Sequence, residues 1–421
     1  MTRRTKQNGT TRSPLPREIW VLVAAAVAIA LGYGIVAPVI PRFARSFEVT
    51  NFAATAVVSA FAMMRLVFAP VSGMFSTRFG ERRMFILGIY LVAISSFASG
   101  FAHSYWQLLI YRALGGVGSV IFSVAAMSLI IRWAPVDARG RASAAYGSGF
   151  LLGNIAGPAV GAILAPFGYR LPFLIYAGTL ICAALIVTIF IPSDQRGKKV
   201  LRLDAHEGKL DVRSITSDSR TIDGTLETAD IIRTREAFQN TRFRLVLTSA
   251  FAQGWTNMGV RMAVAPLLAA TIIGAPTWLA GAMLASFAIG NGASLLTSGK
   301  WSDIYVRRRL ILIGLSLSGL ATIPMGFAES TWVLILLSLV GGYGAGLVQP
   351  SQQGAVADII GKRKGGAVVS LFQQSADFGQ ILGPLVAGLI IDHGGFALTY
   401  FISGLMLWAA ATFWFFFGRA T

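Results

Sequence analysis

Long apolar runs broken by short polar intervals dominate the chain, and it is the length of the runs, more than any alternation within them, that carries information. Crossing a hydrocarbon layer as a helix takes about 20 mostly apolar residues, because every backbone amide must be satisfied inside the segment. Twelve runs meet that length: Ile19 to Ile40, Phe52 to Phe75, Met84 to Ala102, Tyr105 to Ile131, Ala142 to Ala165, Pro172 to Ile191, Phe243 to Ala270, Thr277 to Gly299, Leu310 to Ala328, Thr331 to Ala357, Gly366 to Ile391 and Ala397 to Phe417. They predict an all-α integral membrane protein with 12 transmembrane helices. The first run follows Arg3, Arg4, Lys6, Arg12 and Arg17 but is too long for a secretory signal and lacks a small-residue cleavage site, so a retained helix is expected.

Composition agrees with that reading: 55% of residues are apolar and 13% charged, about half the charged share of soluble domains. A net charge of +18 in a soluble protein would suggest nucleic acid, but its distribution points to a membrane. With both termini in the cytoplasm, 30 of the 36 Lys and Arg residues fall in cytoplasmic segments, counting Arg244 at the edge of the seventh run. Only Arg42, Arg45 and Arg170 lie outside, and Arg65, Arg112 and Arg261 lie within helices. This asymmetry orients the chain and makes the lipid bilayer, not nucleic acid, its partner. Cys182 is the single cysteine, and His103, His206 and His393 sit in loops or at helix ends, so no metal site is expected. No cofactor motif and no intramembrane nucleophile with its base is present, which argues against an enzyme.

The runs are organised as a repeat at an offset of 226 residues. Gly100-Phe-Ala-His-Ser-Tyr-Trp106 matches Gly326-Phe-Ala-Glu-Ser-Thr-Trp332, and Gly115-Gly116-Val-Gly118 matches Gly341-Gly342-Tyr-Gly344. The same register pairs Gly73 with Gly299 and Gly157-Pro158 with Gly383-Pro384. Two parallel, pseudo-symmetric six-helix bundles are the architecture such a repeat implies. The expected division is a cytoplasmic tail (1–18), a first bundle (19–192), a cytoplasmic linker (193–242), a second bundle (243–418) and a short tail (419–421). At the linker's end Ile231, Ile232, Arg235, Phe238 and Arg242 are spaced for a surface helix, with an unstructured tether as the alternative.

Several motifs then resemble the major facilitator superfamily. Gly73-Met-Phe-Ser-Thr77-Arg78-Phe-Gly80-Glu-Arg82-Arg83 resembles its G-x-x-x-D-R-x-G-R-R loop with Thr77 in the acidic position. Gly299-Lys-Trp-Ser-Asp303-Ile-Tyr-Val-Arg307 repeats it with the acid kept. The resemblance implies a conformational latch at Gly73, Arg78, Gly80, Arg82, Gly299, Asp303 and Arg307. Arg112-Ala-Leu-Gly-Gly116 is similar to the R-x-x-x-G element whose arginine is associated with ion coupling. Gly149-x-x-x-Gly153-Asn-Ile-Ala-Gly157-Pro158-Ala-Val-Gly161 is similar to the superfamily's antiporter signature, implying export, with hinges at Gly153, Gly157, Pro158, Gly383 and Pro384. The drug/proton antiporter-like efflux branch fits these motifs best, although the first helix lacks the carboxylate that many of its members carry.

Arg65, Arg112, Arg261 and Asp377 fall deep in the apolar runs, where each arginine costs ~2.5–3.5 kcal/mol to insert. In the repeat they correspond to Asn291, Ser338, Tyr33 (after a two-residue adjustment) and Leu151, so each breaks the symmetry. Asp377 is the only mid-membrane carboxylate and, with Arg112, is the expected proton-coupling element. Arg65, Arg261, Tyr33, Asn154, Asn257, Asn291 and Gln374 are expected in the substrate cavity, with Tyr111, Tyr343, Gln349 and Gln353 as further polar candidates. Three arginines against one aspartate favour neutral, zwitterionic or anionic compounds over cations. The leading expectation is proton-coupled export of a small organic compound, drug or metabolite, by alternating access from a bacterial cytoplasmic (inner) membrane. Uptake or exchange of an anionic metabolite and a non-transporting membrane sensor or scaffold are the alternatives.

Overall fold

The computed structural model of the protein describes residues 15–135, 138–191, 234–272, 276–304, 307–361, 363 and 366–418. The tails at 1–14 and 419–421, most of the linker (192–233), and the side chains of Thr77, Gly299 and Asp303 lie outside the described residues. Helix α1 (Arg17–Val36) is prolonged by a short helix, Ile40–Arg45, and is followed by α2 (Asn51–Phe79), α3 (Glu81–Gly100), α4 (Tyr105–Trp133), α5 (Arg139–Leu164) and α6 (Arg170–Phe190). Helix α7 comes in three pieces, Thr241–Gln253, a π-helical Gly254–Val260, and Arg261–Thr271. Then come α8 (Leu279–Ile304), α9 (Arg307–Met325), α10 (Thr331–Ile360) and a stretch Gly366–Phe417 whose two arms, α11 and α12, meet at Gly395. Gly395 has φ +78, a conformation open to glycine at little steric cost, and this lets the chain reverse without a loop.

Among the described residues, nine stretches are long and apolar enough to cross a membrane. All twelve expected helices are present; the number is nine by length and apolarity because α7 is divided, the apolar part of α8 is the shorter Leu279–Leu295, and α11 and α12 run on as one. Just before α7, a six-residue helix at Thr234–Gln239 is tied to the α10–α11 connection by Arg363 Nη1 and Glu236 Oε1 at 2.5 Å. This six-residue helix gives the linker's last residues a docked position.

Equivalent helices pack on equivalent partners: α1 on α5 and α7 on α11, α3 on α4 and α9 on α10, α2 on α4 and α8 on α10. The glycines repeated between halves make the first of these pairings close. A Cβ on Gly157 would stand 2.6 Å from Gly34 Cα in α1, and one on Gly383 would stand 2.7 Å from the Trp255 carbonyl oxygen in α7. The spaced glycines thus serve tight helix contact in both bundles.

The bundles meet along α2 with α11 and α5 with α8. Arg78, Arg82, Arg132 and Arg307 mark a basic face, and the hydrogen bonds that join the bundles among the described residues lie in the half remote from it. Asp392 of α11 accepts from Asn51 N at 3.0 Å, Asn51 Nδ2 at 2.8 Å and Phe52 N at 3.0 Å, capping α2 from the other bundle. Arg42 Nη1 donates to the Thr277 carbonyl at 3.4 Å, and deeper in, Ser59 Oγ donates to the Ile381 carbonyl at 2.8 Å.

Candidate functional site

Beyond the Ser59–Ile381 contact the bundles part around a cavity of about 820 Å³. Its wall obeys the repeat closely. Phe61 and Phe287, Arg65 and Asn291, Ser123 and Gln349, Gly147 and Gln373, Leu151 and Asp377, and Asn154 and Gln380 are pairs 226 residues apart, and both members of each line it. From α1 and α7, Ile29 with Asn257 and Tyr33 with Arg261 do so at an offset of 228. The pairing is positional and the chemistry is not shared. In most pairs the second-bundle member is more polar or longer, with Asn for Ile, Arg for Tyr, Gln for Ser, Gln for Gly and Asp for Leu. The first bundle supplies an aromatic wall with Tyr33, Phe61, Phe122, Phe150 and Tyr176.

Arg112 and Arg261 are 1% and 2% exposed. Such deeply buried cations need compensation. Each finds an aromatic face: the Arg112 guanidinium carbon lies 4.6 Å from the centre of the Phe61 ring, and that of Arg261 4.2 Å from the Phe287 ring. Phe61 and Phe287 are repeat partners. Each arginine also interacts with a buried tyrosine of its bundle's last helix, Tyr176 or Tyr400. The two arginines, unrelated in sequence register, therefore occupy related places in space, Arg112 reaching its place from α4 and Arg261 from α7. Arg261 follows the π-helical Gly254–Val260 directly, its N–H bonding to the Thr256 carbonyl five residues back. It also donates to Thr322 Oγ1 at 3.4 Å and Met325 Sδ at 3.5 Å. Arg261 lines the cavity; Arg112, screened by Phe61, does not.

Asp377 is half-buried on the cavity wall and is the one carboxylate among the described lining residues. It interacts electrostatically with Arg65, which lines the same cavity from α2, yet forms no ion pair with a described residue. A buried carboxylate held near a cation without being locked to it can change partners or take a proton.

A match to the family model of the Major Facilitator Superfamily extends over residues 22–260 and 246–421. The chain belongs to the Major Facilitator Superfamily. It is a multi-pass membrane transporter, and the superfamily is not enzymatic. It is 24% identical over 397 residues to the quinolone resistance protein NorA of Staphylococcus aureus, covering 93% of this chain and 94% of that one. It is 23% identical over 406 residues to multidrug resistance protein 2 of Bacillus subtilis, covering 93% and 95%. Among solved structures, a bacterial homologue of the human lysosomal transporter Spinster, inward-facing and unoccupied, shares its fold at a TM-score of 0.74 with 17% identity over 97% of this chain and 98% of that one. A D-xylose–proton symporter does so at 0.71 with 16% identity, over 95% and 97%.

Against this superfamily background, Tyr33, Arg65, Asn154, Asn257, Arg261, Asn291 and Asp377 come together around the cavity, as do Gln349, Gln353 and Pro158. Gln374 lies away from it: its exposed amide donates to Ser370 Oγ at 3.1 Å, and the neighbouring Gln373 lines the wall instead. Tyr111 and Tyr343 do not line it either. Gln253, Gln352, Gln373 and Gln380 are lining amides that sequence reasoning passed over, although the repeat pairs Gln380 with Asn154.

Several residues of the expected latch have described surroundings, while the side chains of Gly299 and Asp303 lie outside the described residues. Gly80 turns from α2 to α3 at φ +90, Arg82 Nη2 donates to the Thr188 carbonyl at 2.8 Å, and Arg78 lies over Phe79 at 5.6 Å. A Cβ on Gly73 would meet no described atom within 4 Å. Glu81 pairs with Arg132 at 3.2 Å, and Arg307 pairs with Asp358 while also donating to the Gly354 carbonyl. Both pairs join related positions, 81 with 307 and 132 with 358, with their signs exchanged.

Proposed function

We propose that this transporter exports small organic compounds by proton antiport, alternating between states open on its two faces. The observation that carries the reading is Asp377, a half-buried cavity carboxylate in electrostatic reach of Arg65 and without an ion-pair partner among the described residues. Protonation would release it from Arg65, and a substrate or a conformational change would restore the charge. Taking the basic face as cytoplasmic, the structure is inward-open: the cavity lies between the bundles on the cytoplasmic side, closed outwards by Ser59, Asp392 and Arg42. Both termini then lie in the cytoplasm of a bacterial inner membrane. The latch at Gly73 to Arg82 and its repeat at Gly299 to Arg307 would close this face in the opposite state.

Two relatives named for quinolone and multidrug resistance support efflux as the direction and drug-like organic compounds as the cargo. The cavity supports the same cargo, with an aromatic wall facing an amide-rich one and a formal charge of two arginines against one aspartate, which disfavours cations. The test is Asp377→Asn in inverted vesicles loaded with a fluorescent efflux substrate. Proton-driven transport is expected to fall to background while substrate binding to the purified protein persists. Undiminished proton-driven transport would refute the assignment.

A further inference from the structure

We infer that the cavity binds its substrate in one orientation, with an apolar ring against the first bundle and an anionic group on Arg261, which makes Arg261 the specificity-determining residue for anionic compounds. The inference rests on the export reading for its substrate class but makes a claim about binding alone.

The repeat supplies the argument. A protein built of two like halves starts with a symmetric cavity, and the paired lining positions show how this one departs from it. On the second wall the chain places Asn257, Arg261, Gln349, Gln373 and Gln380 where the first has Ile29, Tyr33, Ser123, Gly147 and Asn154, while Arg65 against Asn291 runs the other way. A ligand with one apolar and one polar end loses hydrogen-bonding capacity on the first wall and gains it on the second, so the two orientations differ in free energy.

Arg261 is the cation among the described residues of the second wall, which it shares with Asp377. Both bundles keep a guanidinium on the related phenylalanine, but only the second bundle's borders the cavity. The fold tolerates the cation at either place. Placed on α7 instead of α10, the arginine stays 2% exposed yet borders the cavity, and Ser338, at the position related to Arg112, is left buried with a hydroxyl that has no described partner. Guanidinium also suits carboxylates better than other side chains, since its planar fork offers parallel N–H donors. Arg261 Nε has no described acceptor, so the residue retains donor capacity beyond its bonds to Thr322 and Met325. Arg65, the other lining arginine, is half-buried on the opposite wall within electrostatic reach of Asp377, so the two lining cations differ in having a carboxylate near them.

The experiment measures binding of two probes of the same ring, 1-naphthoate and 1-naphthamide, to the purified full-length protein by intrinsic tryptophan fluorescence. The parent protein should prefer the carboxylate. Arg261→Gln should reduce that preference by at least about tenfold, the scale of a charge-assisted hydrogen bond, and Arg261→Lys should retain part of it. Phe150→Ala on the opposite wall should weaken both probes alike and leave their ratio unchanged. As a control against unfolding of Arg261→Gln, the relocated variant Arg261→Tyr with Ser338→Arg returns the cation to the α10 position; it should melt near the parent temperature yet lose the preference. Equal binding of the two probes, binding of neither, or a preference surviving in the relocated variant would overturn the inference. The assay needs no proton gradient, so a failure of proton-coupled export in vesicles leaves its result independent.

Discussion

Removing the Asp392 carboxylate should shift the transporter away from the conformation described here. The first N–H groups of a helix lack intrahelical partners, and in α2 those of Asn51, Phe52 and Ala53 are all satisfied. Ala53 N donates to Thr50 Oγ1 at 3.2 Å and Ala54 N to the Thr50 carbonyl at 3.0 Å, both within the bundle. Asn51 N and Phe52 N, by contrast, donate to Asp392 across the bundle interface. That half of the cap exists only while α2 and α11 touch at this end. Loss of a helix cap costs ~0.5–2 kcal/mol and loss of a carboxylate at a helix N-terminus ~0.3–1 kcal/mol. Since Asp392 is exposed and water replaces it in part, about 1–2 kcal/mol is the expected bias, a factor of about 5–30 between closed and open populations. Asp392→Ala should show the full effect and Asp392→Asn, which keeps one acceptor oxygen, a fraction of it. Spin labels at Glu48→Cys and Glu329→Cys, both exposed on this face in different bundles, in a Cys182→Ser background, would report the separation by electron double resonance. A distance distribution in Asp392→Ala that superimposes on the parent's would refute the reasoning.

Other expectations follow from the contacts between related positions. Glu81→Arg should lower the melting temperature modestly, by the ~0.2–1 kcal/mol of a partly exposed pair. Adding Arg132→Glu should recover it, since Arg307 and Asp358 already hold the exchanged arrangement in the other half. Gly342→Ala should reduce folded yield sharply, because its Cβ would stand 2.0 Å from the Phe287 carbonyl oxygen; Gly178→Ala, with nothing within 4 Å, should be neutral or stabilising in the same thermal-melt assay. Gly157→Val should separate α1 from α5 and abolish folding, read as loss of a monodisperse peak in size-exclusion chromatography.

The spans and the twofold plan were legible because each is written in many residues at once, through run length and through a register that insertions would have destroyed. The cavity was only partly legible, because a lining position depends on which way a helix is turned. Gln373 and Gln374 are neighbours in sequence but about 100° apart around α11, and composition alone could not choose between them. The π-helical piece of α7 was equally hidden: Gly254–Val260 contains no proline or charge to signal a break, yet it helps set the position from which Arg261 reaches Phe287. Glu81 was overlooked as a partner because the pairing exchanges sign between the halves, so that no identity survives to be read. What the register does carry in such cases is position, and Phe61 with Phe287 was available there from the start.

That distinction between position and identity changes which charges bear on mechanism. Four intramembrane charges break the repeat in sequence, and in sequence alone all four stand apart. In space, Arg112 and Arg261 restore one another: both stack on the related phenylalanine and both interact with a buried tyrosine of the last helix of their bundle. A feature present in both halves is one the fold can use for packing as well as for transport. Arg65 and Asp377 have no such compensation, since their counterparts are Asn291 and Leu151. They also sit on α2 and α11, the pair of helices whose far ends are joined by Asp392, and interact across the cavity between them. An attraction near the cavity and a cap at the end of the same helix pair act on one seam. Loss of charge at Asp377 would weaken the first while leaving the second, so protonation should tilt α2 against α11 about its capped end instead of parting the two helices evenly.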